Sequence, residues 1–317
     1  MLNFNKLRNH ISFNNMYDIY KLRDWINIDK INWDFFSENP NAIPILEQNM
    51  DKVNWDLLSL NPNAIHLLEQ NMDKINWDNI SANPNAIHLL QQNMDKINWF
   101  NLTSNPSPNA IPLLEQNMDK IYWEYLSINP NAIQLIEKNM DKIHWFYLSA
   151  NPNAIHILEQ NMDKIHWDAL SYNPNAIPLL KKNLDKIDWE LLSNNANAIC
   201  LLTENKDKIN WYYLTQNPNA IYLLEENIHN HLNKIDWYLL SLNPNAMNLL
   251  EKNVDKIYWY YLPQNPNIFT YDYDKMKLNR KKCGFVEELI ATVFHPDRLL
   301  CICKKYNIKF LELIQIY

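Results

Sequence analysis

Eleven tryptophans recur almost evenly along a chain of 317 residues. Trp33, Trp55, Trp77 and Trp99 follow one another at 22 residues, as do Trp123, Trp145, Trp167, Trp189 and Trp211, and as do Trp237 and Trp259. The two other steps, Trp99 to Trp123 and Trp211 to Trp237, are 24 and 26. Such a period means one supersecondary unit copied many times, each copy burying its apolar face only against its neighbours. The spacing predicts an all-α chain: an α-solenoid of about eleven 22-residue repeats, each a short helix and a longer one, with helical end caps. The expected boundaries are an N-terminal cap over 1–30, the array over 31–267 and a C-terminal cap over 268–317.

Residues 50–71, MDKVNWDLLSLNPNAIHLLEQN, show why the unit is helical. Asn54 suits an N-cap, Trp55 and Leu58 share one face, and Asp56 sits at the positive end of the helix dipole. Asn61-Pro62 ends this piece, because the residue before a proline is driven out of the α region. The second piece is placed by Pro44, Pro112 and Pro178, which are tolerated only in a first turn. Helices at about 42–49 and its equivalents follow, with Asn41, Asn63, Asn85 and Asn109 as caps and Asn49 closing in the left-handed region. The tryptophans read as a core ladder. With neighbouring helices ~8–10 Å apart, the stack would be a rod or gentle superhelix on the order of 100 Å long. Terminal units of such a stack need capping.

A single glycine, Gly284, stands against about fifty asparagines. Asparagine is the next-best residue for unusual backbone positions, and its three columns (Asn39, Asn41, Asn49 and equivalents) read as satisfying backbone groups at turns. The formal charge of −7 divides unevenly. The array carries −12, the two ends +2 and +3. An acidic body repels phosphate, so nucleic acid is confined to the basic ends, for example Lys275, Lys277, Arg280, Lys281 and Lys282. Four cysteines do not make a disulfide framework. No apolar run is long enough for a bilayer, and MLNFNKLRNHISFNN has no signal core. The expectation is a cytoplasmic protein that is not secreted.

The phrase Ser59-Leu60-Asn61-Pro62-Asn63-Ala64-Ile65-His66-Leu67-Leu68-Glu69-Gln70-Asn71-Met72-Asp73-Lys74-Ile75-Asn76-Trp77 resembles the tandem repeats of many giant nucleocytoplasmic DNA virus proteins. The resemblance covers roughly residues 31–267, and the tail 287–299 is similar to the ending of such proteins. It implies a viral product in host cytoplasm or in a virion. It implies no catalytic residue.

Specificity is expected where the scaffold leaves positions free. After each tryptophan come Asp34, Asp56, Asp78, Phe100, Glu124, Phe146, Asp168, Glu190, Tyr212, Tyr238 and Tyr260. One place further come Phe35, Leu57, Asn79, Asn101, Tyr125, Tyr147, Ala169, Leu191, Tyr213, Leu239 and Tyr261. Tyr212, Tyr213, Tyr238, Tyr260 and Tyr261 are expected to form a continuous patch, with Phe146 and Tyr147 as further candidates, because tyrosine adds interface area at little entropic cost. His66 and His88 lie about one helix spacing apart, too far to share a zinc ion. Cys301 and Cys303 would point apart on a helix, so they do not grip one ion together with His295 and Cys283, and the cysteines read as buried thiols in a small cap. No phosphate loop, nucleophile elbow or metalloprotease motif is present. The expected function is therefore non-enzymatic, with no cofactor and no metal: a repeat scaffold binding a protein partner, host or viral. A structural component of a virus particle is the alternative.

Overall fold

The computed structural model describes residues 19–231 and 234–282, with side chains from 19 to 228 and from 234 to 278. These residues form two compact units, Asp24–Ile268 and a second one that joins residues up to Arg23 with those from Phe269 onward.

Within the first unit the chain is an all-α repeat array. The repeat containing Trp77 is representative. A short helix, Trp77–Ala82, is followed by a turn, a second helix, Ile87–Gln92, and a 3-10 turn, Met94–Lys96. The first is called here the Trp helix and the second the Ile helix. Asn76 caps the Trp helix, its side chain accepting from Asn79 N–H. Pro44, Pro112 and Pro178 fall within the first two positions of their Ile helices, as their chemistry requires. The core lies between the two helices. Leu58, Ala64 and Leu68 and their equivalents are fully buried in successive repeats.

Two local expectations are overturned. The Ile helix is not capped by Asn41 or its equivalents; the N-cap position is Ala42, Ala64 or Ala86, with no side-chain bond. The reason is that the proline-flanking asparagines bond elsewhere. Asn61 Oδ1 accepts from Asn63 N–H at 2.9 Å, and Asn63 Nδ2 donates to Pro40 O of the preceding repeat at 2.8 Å. Nor is Asn49 left-handed, at φ −138°, ψ 47°; its Nδ2 instead donates to Ile45 O one turn back.

Asparagine joins one repeat to the next. Asn61 Nδ2 donates to Ser37 O and Asn39 O at 2.9 and 2.8 Å, and Asn83 Nδ2 repeats this on Ser59 O and Asn61 O. All these asparagines are buried. The buried serines add a second link: Ser59 Oγ donates to Trp55 O and accepts from Asn76 N–H. The sequence insertions leave the column intact. Asn129 reaches Thr103 O and Asn105 O across the first, and Asn243 reaches Thr215 O and Asn217 O across the second. Of the stretch 228–233, which the sequence places between the two helices as an insertion, residues 228–231 instead lengthen the Ile helix to Ile221–His231, and 232–233 lie outside the described residues.

The array closes on itself. Asn39 in the first repeat donates to Pro263 O at 2.7 Å and Asn265 O at 3.0 Å in the last, and Asn41 donates to Pro266 O at 3.0 Å. The two bonds of Asn39 are those that join every other pair of neighbours, in the same register, and the bond of Asn41 recurs at every joint but the one where Ser107 replaces the asparagine. Gln264 Nε2 donates to Glu38 Oε2 at 3.1 Å over the same joint. The unit is thus a ring of eleven repeats, each turning the chain by about 33°, one eleventh of a circle. The expected rod is excluded, and the ring has no free ends to cap.

The eleventh repeat is assembled from both ends of the array. Trp259 to Ile268 supply its first half, and residues 24–30 supply its last, so the array takes in residues that the boundary at 30 assigned to a cap. Ile28–Lys30 is its 3-10 turn, and Lys30 Nζ lies 4.9 Å over Trp259 as Lys52 lies 4.5 Å over Trp33. Trp25, off the period, meets Trp259 edge-on at 6.5 Å. Pro263 stands where other repeats have serine or threonine. It has no N–H for the fourth helical bond, and the Trp helix is reduced here to a turn and the 3-10 stretch Leu262–Gln264.

At most joints neighbouring Trp helices pack directly on one another, whereas neighbouring Ile helices everywhere make only sparse contact. In a closed ring the more closely spaced elements lie at smaller radius. The Trp helices therefore form the inner wall, and their faces turned away from the Ile helices line the lumen. At ~8–10 Å per packed helix, eleven close on a circle about 30 Å across; a helix radius of about 5–6 Å on each side leaves a lumen of about 20 Å.

In the second unit, strand β1 (Tyr20–Leu22) pairs antiparallel with β2 (Phe269–Tyr271), and Tyr20 stacks on Tyr271 at 5.1 Å. A helix, Tyr273–Lys282, follows. It carries the basic residues 275–282; Cys283, His295, Cys301 and Cys303 lie outside the described residues.

Candidate functional site

The tryptophans stand at the edge of the core, not at its centre. All but Trp211 are half-buried, and the fully buried column is the residue three places later, Phe36, Ile80 or a leucine. The exposed part of the ring is covered by the lysine of the following 3-10 turn. Lys74 lies 4.4 Å over Trp55, Lys164 4.7 Å over Trp145 and Lys186 4.4 Å over Trp167. Each contact contributes on the order of 0.5–1 kcal/mol. The column is structural, and its lysines are engaged by it.

The variable positions beside the tryptophans divide by depth. The place directly after Trp is exposed in ten of eleven repeats, and Tyr238 is half-buried. The next place is half-buried or buried and packs between repeats, as when Tyr125 meets Tyr147 at 5.6 Å. Helical geometry puts both places, with the residue five after Trp, on the lumen face.

Ring closure makes one aromatic cluster that no linear reading contains. Phe35 of the first repeat packs on Tyr260 and Tyr261 of the last at 5.2 and 5.1 Å, and Tyr261 meets Tyr238 at 4.6 Å. Sequence reasoning missed Phe35 because it lies 225 residues from its partners; the signal was only that it shares their repeat position. The expected continuous patch is broken. Tyr212 packs on Tyr213 at 5.5 Å, but neither makes a ring contact with Tyr238. Phe146 and Tyr147 belong to a second cluster, in which Phe100 meets Tyr125 at 4.5 Å and Phe146 meets His166 at 5.6 Å. Loss of solvation, then the nearby Glu124 carboxylate and Tyr125, hold the Tyr147 phenol above its ordinary range.

The acidic positions are ordered. Asp34, Asp56 and Asp78 each accept from the next repeat's capping amide, Asn54, Asn76 and Asn98, at 2.7–3.0 Å. On the outer wall, His66, His88 and His156 each bond a glutamate of the preceding repeat, Glu47, Glu69 and Glu137, at 2.8–2.9 Å. Among the described residues no group of three or more His, Cys, Asp or Glu is placed to hold a metal, and no helix is long and apolar enough to cross a membrane. Cys200 is an exposed thiol. The Ser107-Pro108 insertion opens a groove of about 720 Å³ between neighbouring repeats, lined by Pro84, His88, Pro106 and Pro112. No family model, curated protein or solved structure matches the chain.

Proposed function

We propose that the protein is a non-catalytic ring scaffold that holds a protein partner through the aromatic positions beside the tryptophan column. What supports this is the exposure of large rings that the core does not require: Tyr212 is 47%, Tyr260 55% and Phe146 37% exposed. Solvent-facing tyrosines of this kind add contact area while keeping a polar handle, and interfaces are enriched in them. Residues at the same position in other repeats are aspartates or glutamates, so the fold does not demand an aromatic there.

Replacing Tyr212, Tyr260 and Phe146 together by serine is expected to abolish capture of the partner from lysate. The thermal midpoint should fall by only several degrees: exposed substitutions cost within about 0.5 kcal/mol each, and Tyr260 adds the loss of its edge contact with Phe35, about 0.5–1.5 kcal/mol. A cooperative collapse of the fold, or undiminished capture, would show that these rings serve packing.

A further inference from the structure

We propose that the lumen takes a cationic, partly apolar polypeptide segment threaded through the ring. The inference rests on the protein-binding reading above and names the chemistry of the partner.

Its basis is the composition of the inner wall. Three positions of each repeat face the lumen: the two after Trp and the fifth after it. No lysine or arginine occupies any of them in any repeat. Six carboxylates stand directly after Trp: Asp34, Asp56, Asp78, Glu124, Asp168 and Glu190. The lysines of the array lie on the turns between repeats or at the ends of the Ile helices, and nine of them hold their ammonium groups over Trp rings. Asp168 and Glu190 have no hydrogen-bond or ion partner among the described residues and are exposed. A concave wall of one sign focuses its field on whatever enters.

Closure also arranges the two chemistries around the circle. Opposite positions in an eleven-membered ring are five to six repeats apart. The acidic first to third repeats (Asp34, Asp56, Asp78) thus face the acidic seventh and eighth (Asp168, Glu190). The fourth to sixth, where Phe100 and Phe146 flank Glu124, face the aromatic ninth to eleventh, with Tyr212 and Tyr260. Carboxylates on two opposing sides and π-faces on the other two suit arginine and lysine side chains on an apolar stem. The same carboxylates repel nucleic acid. Width selects further. A lumen of about 20 Å admits a helix of about 10–12 Å with its side chains, but not a folded domain of 100 residues with a radius of gyration of about 13 Å.

The test is fluorescence anisotropy of the full chain with a labelled amphipathic Arg–Leu peptide, with versions carrying Gln or Glu for Arg, and with a random RNA oligomer. The Arg peptide is expected to bind, and the Glu peptide and RNA are not. Asp168→Lys with Glu190→Lys should weaken binding roughly tenfold or more, as lost charge pairs do. Glu115→Lys with Glu159→Lys, the same charge change on the outer wall, should leave it within about twofold, given screening over ~10 Å. Equal loss in both double variants, RNA binding, or no binding of the Arg peptide overturns the proposal. If the Gln peptide binds as well as the Arg peptide and loses affinity on Tyr260→Ser, the partner is apolar; the scaffold reading then stands and this inference falls.

Discussion

Asn151→Ala is expected to destabilise the ring by about 3–5 kcal/mol, measured by chemical denaturation. The side chain donates to Ser127 O and Asn129 O at 2.9 and 3.0 Å and accepts from Asn153 N–H at 2.9 Å. Asn151 is fully buried. Each buried group left unpaired costs about 1–3 kcal/mol. Asn151→Asp keeps the acceptor and turns a carboxylate toward two carbonyl oxygens, so it should be at least as damaging. Exposed Asn153, with a single outward bond to Pro130 O, supplies the contrast: Asn153→Ala should cost about 1 kcal/mol. Equal effects at 151 and 153 would remove the buried column from its role as the joint between repeats.

Leu148→Ala is expected to cost about 2–5 kcal/mol in the same assay, as large-to-small changes in packed cores do. Leu148 is fully buried between the Trp and Ile helices of its repeat, beside Ala154 and Leu158, which are equally inaccessible. A loss below 1 kcal/mol would mean that the core between the helices collapses around the cavity and carries little of the stability.

Much of the repeat was legible because its signals are local. Pro44 fixes the first turn of the Ile helix, and Asn54 caps the Trp helix through Leu57 N–H. The tryptophan period shows where each copy begins. Other features were hidden because they are relations between copies. A single repeat does not show whether Asn61 bonds its own turn or its neighbour's carbonyls. Curvature was hidden for the same reason, since it comes from the difference in spacing between Trp helices and Ile helices. One sign of closure did stand in the sequence. Ile26 to Trp33 reads as the end of a repeat without its beginning, and Trp259 to Ile268 as a beginning without its end. At the site, Tyr260 and Tyr261 were found from their position, whereas Phe35 becomes their partner only when the ring is closed.

The seam also differs from the other joints. Elsewhere a serine or threonine oxygen accepts from the N–H of the next repeat, as Ser37 does from Asn54. At the seam Pro263 offers no hydroxyl to Asn32. Closure there rests on the three amide bonds of Asn39 and Asn41, the Gln264–Glu38 pair and the aromatic contacts of Phe35.

Ring closure is therefore best tested at that joint. Spin labels at Glu38→Cys and Gln264→Cys, with the four native cysteines changed to serine, report the distance between the first and last repeats by double electron–electron resonance. The ring predicts a single short distance, one repeat spacing of ~8–10 Å plus the label tethers. An open array of eleven repeats would place the labels on the order of 80–100 Å apart, and a long distance in the monomer would contradict closure.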